Sequence, residues 1–241
     1  MADTENKNYT EYLLNMYNKK TFNRKLWYIK YNFWKYINNW DSILEIWPWL
    51  WEFLHYCISD KRVQDVTIVD NDESVLNYCK SLYKWKDISS YHIENSIEEI
   101  DDKLKKYDII FLNQVLEHIP KNYQIITLKI LYKHLNKWWK LIINVPNAWN
   151  FLTLTEIYWD ITHTSAFTEN SLNQLSQKIK SKWDIVTIKW YSIPPYNFIN
   201  IIRIILQKIL HLFQLLMYVF HWWSFSKVLT PNISLIIEKN N

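Results

Sequence analysis

The sequence contains no glycine, although a protein of 241 residues with average composition would carry about 17. An absence of that size is not a chance fluctuation. Glycine adopts positive φ angles without steric cost and lets the backbone approach a neighbour or a ligand closely. Its absence excludes ordinary glycine-rich turns, so other residues must stand wherever the backbone enters the left-handed region.

Cysteine is also scarce and net charge is low, and both narrow the class of protein. The two cysteines, Cys57 and Cys79, lie in helical patterns without metal-ligand spacing, which predicts buried free thiols in a reducing compartment rather than a disulfide. The formal net charge is +4 with acids and bases interspersed, which predicts no nucleic-acid partner. Residues 1–8 are polar and lack an apolar signal core, so a cytoplasmic location is expected.

Tryptophan is present in excess, at 15 residues, and it stands in turns. Segment 47–51 holds three tryptophans after a short apolar run, Trp138 and Trp139 precede another apolar run, and Trp40 lies in a third turn. Such turns are well served by glycine and poorly by tryptophan. The pattern indicates that tryptophan systematically replaces glycine in an otherwise natural sequence.

Apolar runs alternate with amphipathic segments, which predicts a doubly wound α/β fold with a mainly parallel sheet and helices on both faces. The predicted strands are Ser42–Ile46, Val66–Asp70, Ser90–Glu94, Asp108–Asn113, Lys140–Pro146, Ile185–Trp190 and Ile233–Glu238. The predicted helices are Trp51–Ser59, Glu73–Tyr83, Lys121–Asn136 and Glu169–Ser181, the last with Thr168 as its N-cap.

The turn after the first strand carries the strongest chemical signal. If tryptophan stands for glycine there, Glu45–Trp51 has the pattern Glu-x-Gly-Pro-Gly-x-Gly, and Asp70 ends the next strand. Glycines would let the backbone approach a ligand, and an acid at that point accepts hydrogen bonds from ribose hydroxyls. The pattern therefore predicts a nucleotide-like cofactor at the carboxyl ends of the strands.

Further segments, with that turn, resemble the class I S-adenosylmethionine-dependent methyltransferases from about Phe33 onward. The resemblance rests on the first turn, the end of the second strand, the motif after the fourth strand and the turn before the fifth: Ile43–Trp51, Val69–Asp72, Asp108–Ile119 and Leu135–Asn147. Three other segments are similar to bacterial methyltransferases encoded with polysaccharide and lipopolysaccharide synthesis: Tyr158–His163, Ala166–Leu172 and Leu229–Asn232.

The resemblance implies a Rossmann-like sheet of seven strands with the last strand antiparallel, and S-adenosylmethionine as the cofactor. It implies one domain over residues 1–241, built from a helical cap (1–38), a cofactor-binding core (39–191), an apolar helical insertion (192–230) and a last strand (231–241). Four residues are implied to contact the methionine part of the cofactor: Glu45, Trp47, Trp49 and Trp51. Asp70 is implied to bind its ribose, and Asn71, Ser96 and Ile97 to flank its adenine. Asn113 and Gln114 are implied to lie beneath the sulfonium.

Candidate catalytic residues follow from what methyl transfer needs. A sulfonium methyl is already electrophilic, so catalysis is mostly alignment, and a sugar hydroxyl also benefits from a general base. The first candidate is His163, in the loop that starts at Asp160; the alternative is a histidine that only holds this loop. His118 is the second candidate. Related ubiquinone-pathway O-methyltransferases carry a metal-binding glutamate at the position of Gln114. Only Glu117 and His118 would remain as metal ligands in this segment, so no metal is predicted.

The predicted function is O-methylation of a sugar hydroxyl in surface-glycan synthesis, with a small-molecule or lipid-linked sugar as acceptor. The indoles at 47, 49 and 51 are expected to impair cofactor binding, because they fill space and resist positive φ angles. One alternative is a catalytically inactive protein with this fold, engineered or serving as a scaffold. Another, a nicotinamide-dependent dehydrogenase, has no counterpart of Gln114–Ile119 or Asp160–His163.

The insertion contains a predicted helix over residues 197–222 with a narrow polar stripe and a wide apolar face. We interpret it as a peripheral contact with the inner face of a membrane, a homodimer or partner interface, or a cap over its own domain. A membrane-spanning helix would bury Arg203, Lys208 and His211 at high cost.

Overall fold

A computed structural model of the chain describes residues 19–49, 51–150, 153–220 and 226–240, and its centre is one seven-stranded sheet. The strands, in chain order, are β1 Ser42–Ile46, β2 Asp65–Asp70, β3 Ser89–His92, β4 Tyr107–Asn113, β5 Leu135–Pro146, β6 Ile185–Trp190 and β7 Asn232–Glu238. Their order in the sheet is β3-β2-β1-β4-β5-β7-β6.

Strand directions confirm the predicted fold class. Neighbours from β3 to β5 pair in parallel, and β7 pairs antiparallel with both β5 and β6. The order of strands reverses between β1 and β4, because β2 and β3 lie on one side of β1 and the later strands on the other. Ligands of doubly wound sheets bind outside the carboxyl ends of the strands at such a switch point.

Helices cover both faces of the sheet. They are α1 Lys19–Phe33, α2 Glu52–His55, α3 Glu73–Leu82, α4 Lys121–Lys133, α5 Thr153–Trp159, α6 Glu169–Gln177 and α7 Phe198–Phe220. Successive strand residues point to opposite faces: Ile110 and Leu112 join the core under α4 and α6, whereas Ile109 and Phe111 join the core under α1, α2 and α3. Cys57 and Cys79 are buried free thiols, as predicted, and both lie in the core under α1, α2 and α3.

Boundaries differ from the prediction mainly around β5. The predicted strand begins at Lys140, but β5 begins at Leu135, and α4 ends at Lys133 rather than at Asn136. Leu135 pairs with Tyr107, and after a register shift the ladder resumes with Lys140 opposite Ile109. Hydrophobic periodicity does not show such a bulge, because the intervening residues are polar or tryptophan.

Three helices differ from the prediction as well. The predicted helix over 51–59 is divided into α2 and a π-helical turn, Tyr56–Asp60. The helix predicted to reach Ser181 ends at Gln177, although Thr168 does cap it by accepting a hydrogen bond from the Ser171 amide. Short α5 was not predicted. Of the predicted N-terminal cap, residues 1–18 lie outside the described residues, and 19–33 form α1.

Backbone angles separate the tryptophan turns into two kinds. Among the described residues, positive φ occurs at Trp47 (51°), Trp51 (48°), Arg62 (54°), Gln114 (57°) and Trp138 (71°). Three of these five positions carry tryptophan, a bulky residue for which a left-handed backbone is strained. Trp40 and Trp49 also lie in turns, but without a positive φ angle.

Candidate active site

A cavity of about 570 Å³ opens at the carboxyl ends of the central strands. Sites for small molecules commonly measure about 300–1,000 Å³, so the cavity is large enough for a cofactor or an acceptor. The turn after β1, the ends of β4 and β5, α1 and α7 all contribute to its wall. The principal polar and aromatic lining residues are Arg24, Lys25, Tyr28, Glu45, Trp47, Trp49, Asn113, Gln114, His118, Asn144, Asp160, Tyr191, Arg203, Gln207 and Asn232.

Two buried carboxyl groups lie at the ends of β1 and β2. Glu45 lines the cavity, and its Oε2 is buried without a hydrogen-bond partner in the described part of the chain. Burial, with the neighbouring acids Glu52 and Asp70, raises the pKa of Glu45 well above its usual range. The Oδ1 of Asp70 accepts a hydrogen bond from the Asp72 amide at 2.9 Å, and burial raises the pKa of Asp70 to about 7. A ligand that brings cationic or hydroxyl donors would satisfy these acids.

The tryptophans of the turn occupy the space beside these acids. The Trp49 ring stacks on His118 with centroids 5.4 Å apart, and the Trp51 ring lies 4.7 Å from that of Tyr78. Trp47 packs against the core, and its indole Nε1 is buried without a partner in the described part of the chain. Side chains therefore fill a turn where the sequence pattern predicts an open backbone.

The cavity includes only part of the predicted cofactor site. Glu45, Trp47, Trp49, Asn113 and Gln114 line it, as the resemblance implies. The others do not line it: Trp51, Asp70, Asn71, Ser96 and Ile97.

The residues implied to flank adenine have structural partners instead. The Asn71 carbonyl accepts a hydrogen bond from His92 Nε2 at 3.1 Å. Ser96 caps the short 3₁₀ helix Ile97–Ile100, and the Ile97 side chain is buried in the core. Any contact of Ser96 or Ile97 with adenine would therefore involve the backbone or a rearranged loop.

A hydrogen-bond network fixes the floor of the cavity. Gln114 has a left-handed backbone, its amide donates to the Asn144 carbonyl at 2.8 Å, and its Nε2 donates to Asn232 Oδ1 at 3.3 Å. Asn144 Nδ2 donates to Asn113 Oδ1 at 2.9 Å. Asn144 was not predicted as a site residue, although a single amide inside the apolar run 141–145 is a usable signal.

The loop after α5 orients two histidines. Thr162 Oγ1 donates its one hydrogen to Asp160 Oδ1 at 2.6 Å, so His118 Nδ1, 2.7 Å away, must donate to Thr162. His163 Nδ1 lies 3.1 Å from the Ile157 carbonyl, which only accepts, so this nitrogen also donates. Each neutral ring therefore keeps its lone pair on Nε2, where it can accept a proton or bind a metal.

The structure gives the two histidines different positions. His118 and Asp160 line the cavity, whereas His163 does not; it lies beside His118, with ring centroids 4.5 Å apart. Burial and the neighbouring His163 lower the pKa of His118 to about 4, so His118 is neutral near pH 7. The second candidate base is thus the one with direct access to a ligand in the cavity.

Three side chains could also hold a metal ion. Ligand atoms of Glu117, His118 and His163 all lie within 4.8 Å of one another. One carboxylate and two neutral imidazoles are a donor set suited to zinc, manganese or iron. The prediction of no metal counted two ligands in the 114–118 segment; the third comes from a loop that only the fold brings close.

Cationic side chains line the cavity together with three acids, Glu45, Glu52 and Asp160. Arg24 and Lys25 come from α1 and Arg203 from α7, and all three line the cavity. None was predicted as a site residue, because their approach depends on how the two helices pack. The three cations offer contacts for a negatively charged group of an acceptor, and the three acids in the same wall balance their formal charge.

No protein-family model and no curated protein matches the sequence. Solved structures do match the fold. A SAM-dependent methyltransferase from Archaeoglobus fulgidus has a TM-score of 0.62 and 17% identity, with 90% of this chain and 94% of that chain covered. The plantazolicin methyltransferase BpumL, solved with a desmethylPZN analog and SAH, has a TM-score of 0.62 and 18% identity, covering 100% and 92%. The methyltransferase domain of bacterial CtHen1-C has a TM-score of 0.56 and 15% identity, with 90% of this chain and 98% of that chain covered.

These likenesses show that the chain has the class I fold of SAM-dependent methyltransferases. The buried acceptor of Glu45 suits the ammonium group of S-adenosylmethionine, and the acid of Asp70 suits ribose hydroxyls. The polar residues therefore fit this cofactor. The indoles do not, because Trp47 and Trp51 combine a left-handed backbone with bulky side chains at the turn.

Proposed function

We propose that the chain is a S-adenosylmethionine-dependent methyltransferase that methylates a sugar hydroxyl, with cofactor binding impaired by Trp47, Trp49 and Trp51. The observation that carries this proposal is the unpartnered Oε2 of Glu45, buried at the carboxyl end of β1 on a cavity of sufficient size. A buried carboxylate without a partner is costly unless a ligand satisfies it. Its position is the place where doubly wound sheets bind nucleotide-like cofactors.

In this proposal the cofactor supplies an electrophilic methyl group, and the chain supplies binding and orientation. Glu45, Asn113 and Gln114 line the cavity and would bind the cofactor there. Asp70 lies outside the cavity of the parent chain and would reach the ribose only when the turn at 47–51 is opened. Nε2 of His118 accepts the proton of the acceptor hydroxyl. Thr162 and Asp160 keep the other ring nitrogen protonated, which holds the required tautomer.

The acceptor we propose is a sugar linked to a lipid through phosphate, as in the synthesis of a surface glycan at the inner face of the cytoplasmic membrane. The support is chemical. Arg24, Lys25 and Arg203 line the cavity, and guanidinium and ammonium groups bind phosphate well. A small soluble sugar phosphate would satisfy the same side chains.

We also infer that tryptophan stands where this fold uses glycine. Trp47, Trp51 and Trp138 have φ angles of 51°, 48° and 71°, a region that glycine occupies without strain. We call the chain with Trp47→Gly, Trp49→Gly and Trp51→Gly the loop-glycine variant. The competing hypothesis is an inactive protein with a methyltransferase fold, which would bind no cofactor even as this variant.

Replacing Asp70 by alanine in the loop-glycine variant is expected to weaken S-adenosylmethionine binding by about 10- to 100-fold, since hydrogen bonds to a charged group contribute about 1.5–3 kcal/mol. Isothermal titration calorimetry measures the change. Asp65→Ala is the matched control, because Asp65 lies at the other end of β2 and pairs with Lys105 on the surface. Equal affinity in the Asp70 and Asp65 variants would remove Asp70 from the cofactor site.

Replacing His118 by alanine in the loop-glycine variant is expected to lower kcat by about 100-fold or more while leaving cofactor affinity unchanged, as for loss of a general base. The assay follows transfer of labelled methyl to a polyprenyl-phosphate-linked sugar. In the parent chain, burial and the neighbouring His163 lower the pKa of His118 to about 4. The loop-glycine variant lacks the Trp47 and Trp49 rings that lie against His118, so its kcat should fall as pH drops through a value between about 4 and the ordinary histidine pKa of about 6.5.

A matched His92→Ala variant controls for loss of a histidine outside the cavity. A kcat that stays constant from about pH 4 to about pH 8 would contradict His118 as the base. If chelation abolished activity and manganese restored it, Glu117, His118 and His163 would be metal ligands instead.

A further inference from the structure

Helix α7 is attached to the domain by its polar side. Asn200, His211 and Gln214 are its buried residues. Asn200 Nδ2 donates to the Pro194 carbonyl at 2.7 Å, Gln214 Nε2 donates to the Trp149 carbonyl, and the His211 ring packs against Trp190 with centroids 5.4 Å apart. This arrangement is the reverse of an ordinary amphipathic helix, which buries its apolar stripe.

The outward side of α7 is a broad apolar face. Its central members, Ile205, Leu206, Ile209, Leu212, Phe213 and Leu216, are 49–60% exposed. Contiguous apolar surface of this extent on a folded domain marks an interaction site.

The helices at this face, α1 and α7, carry basic residues and no acidic ones. Between Asp184 and Glu238 the sequence has no acidic residue, while Arg203 and Lys208 lie on α7 itself. Helix α1 is also acid-free and carries five basic residues. Trp27 on α1 stacks on Tyr196, just before α7, with ring centroids 5.4 Å apart, so the two basic elements are joined. One of these bases, Lys30, pairs with Asp60, while Arg203 and Lys208 of α7 are exposed. Apolar surface beside exposed positive charge complements anionic lipid headgroups over an acyl layer.

We infer that α7 docks on the surface of an anionic lipid bilayer, lying in the plane of the interface with its outward apolar face in the lipid. The helix has the length and apolarity to span a membrane, as the one such candidate among the described residues. Spanning would break the contacts of Asn200, His211 and Gln214 with the domain and carry Arg203 and Lys208 into hydrocarbon. A second copy packed through this face would bring Arg203 and Lys208 of the two α7 helices together, and α7 carries no acid to pair them.

Docking in this orientation would place α7 between the bilayer and the cavity, because Arg203 and Gln207 line the cavity from the polar side of the helix. The inference itself does not depend on methyl transfer. Binding to lipid is expected with or without S-adenosylmethionine, so failure of the enzymatic proposal and failure of this one are distinguishable.

The test is flotation of the full chain with vesicles of phosphatidylcholine, with and without phosphatidylglycerol. The chain is expected to float with the anionic vesicles, and less so in high salt. The double substitution Ile209→Ser with Phe213→Ser should lower the partition coefficient by about tenfold or more. Trp183→Ser with Ile185→Ser, on an equally exposed apolar pair near β6, is the matched control and should float like the parent.

Circular dichroism and light scattering complete the experiment. Both double variants should keep the parent spectrum, because all four side chains are exposed. A parent chain that stays with the soluble fraction for both vesicle types would overturn the inference, and so would equal partition into neutral and anionic vesicles. A parent dimer that the Ile209→Ser, Phe213→Ser variant converts to a monomer, without vesicle binding, would assign the face to a second copy.

Discussion

The loop-glycine variant is expected to bind S-adenosylmethionine about 100-fold more tightly than the parent chain, a difference of about 2.7 kcal/mol. The reason is steric. Trp47 and Trp49 line the cavity, and Trp51 follows in a left-handed conformation at the start of α2. Glycine at these positions would open the turn and leave its backbone amides accessible at a helix N-terminus. Titration calorimetry on both chains measures the difference.

The control removes three tryptophans that do not line the cavity, through Trp40→Gly, Trp85→Gly and Trp183→Gly. These side chains are 67–78% exposed, so their loss should leave affinity unchanged. Comparable affinity in the parent and the loop-glycine variant would show that the indoles do not obstruct the cofactor. Absence of binding in both would favour the inactive-scaffold hypothesis.

The second large effect concerns stability. Trp47→Gly, Trp51→Gly and Trp138→Gly together are expected to relieve about 3–6 kcal/mol of strain, at about 1–2 kcal/mol for each left-handed residue. Lost indole contacts, such as that of Trp51 with Tyr78, offset part of this gain. The whole stability of a domain is only about 5–15 kcal/mol, so the parent chain should be marginally folded. Urea denaturation measures the free energy of unfolding.

Trp138→Gly gives the cleanest single comparison, because Trp138 combines a φ of 71° with a 60% exposed side chain. The matched variant is Trp40→Gly, in an exposed turn without a positive φ angle. Glycine at position 40 relieves no backbone strain and adds flexibility to the unfolded chain. The free energy of unfolding of the Trp40→Gly variant should therefore stay level or fall. Equal effects at the two positions would mean that backbone strain is not what destabilises the chain.

The central strands were predictable because β1, β2 and β4 are nearly continuous apolar runs, as parallel strands covered on both faces must be. β1 and β6 have the predicted limits. The start of β5 was not predictable, since Leu135 joins the sheet only through a bulge opposite Tyr107. The local sequence pattern shows where apolar residues alternate or run together. It does not show which residues outside such a run will pair with a neighbouring strand.

The candidate site divides in the same way. Glu45, Asn113 and Gln114 were identified from the resemblance to class I methyltransferases. The structure brings them to one cavity because the carboxyl ends of parallel strands meet at one edge of the sheet. Arg203 and Asn144 were missed, because one reaches the cavity from a distant helix and the other is an amide within an apolar strand. Ile97 was placed near adenine by motif position, but its side chain is needed in the core.

The position of β7 has a consequence for how the protein folds. Among the strands of the described residues, β6 pairs only with β7. β7 lies between β6 and β5, although α7 separates it from β6 in sequence. Until β7 inserts, β5 is an exposed edge with Leu141, Ile142 and Ile143 unpaired on one side, a template for aggregation. Insertion requires closing a long loop, which makes it a slow step of high contact order. The late strand also carries Asn232, so the floor of the cavity is completed only when the sheet closes.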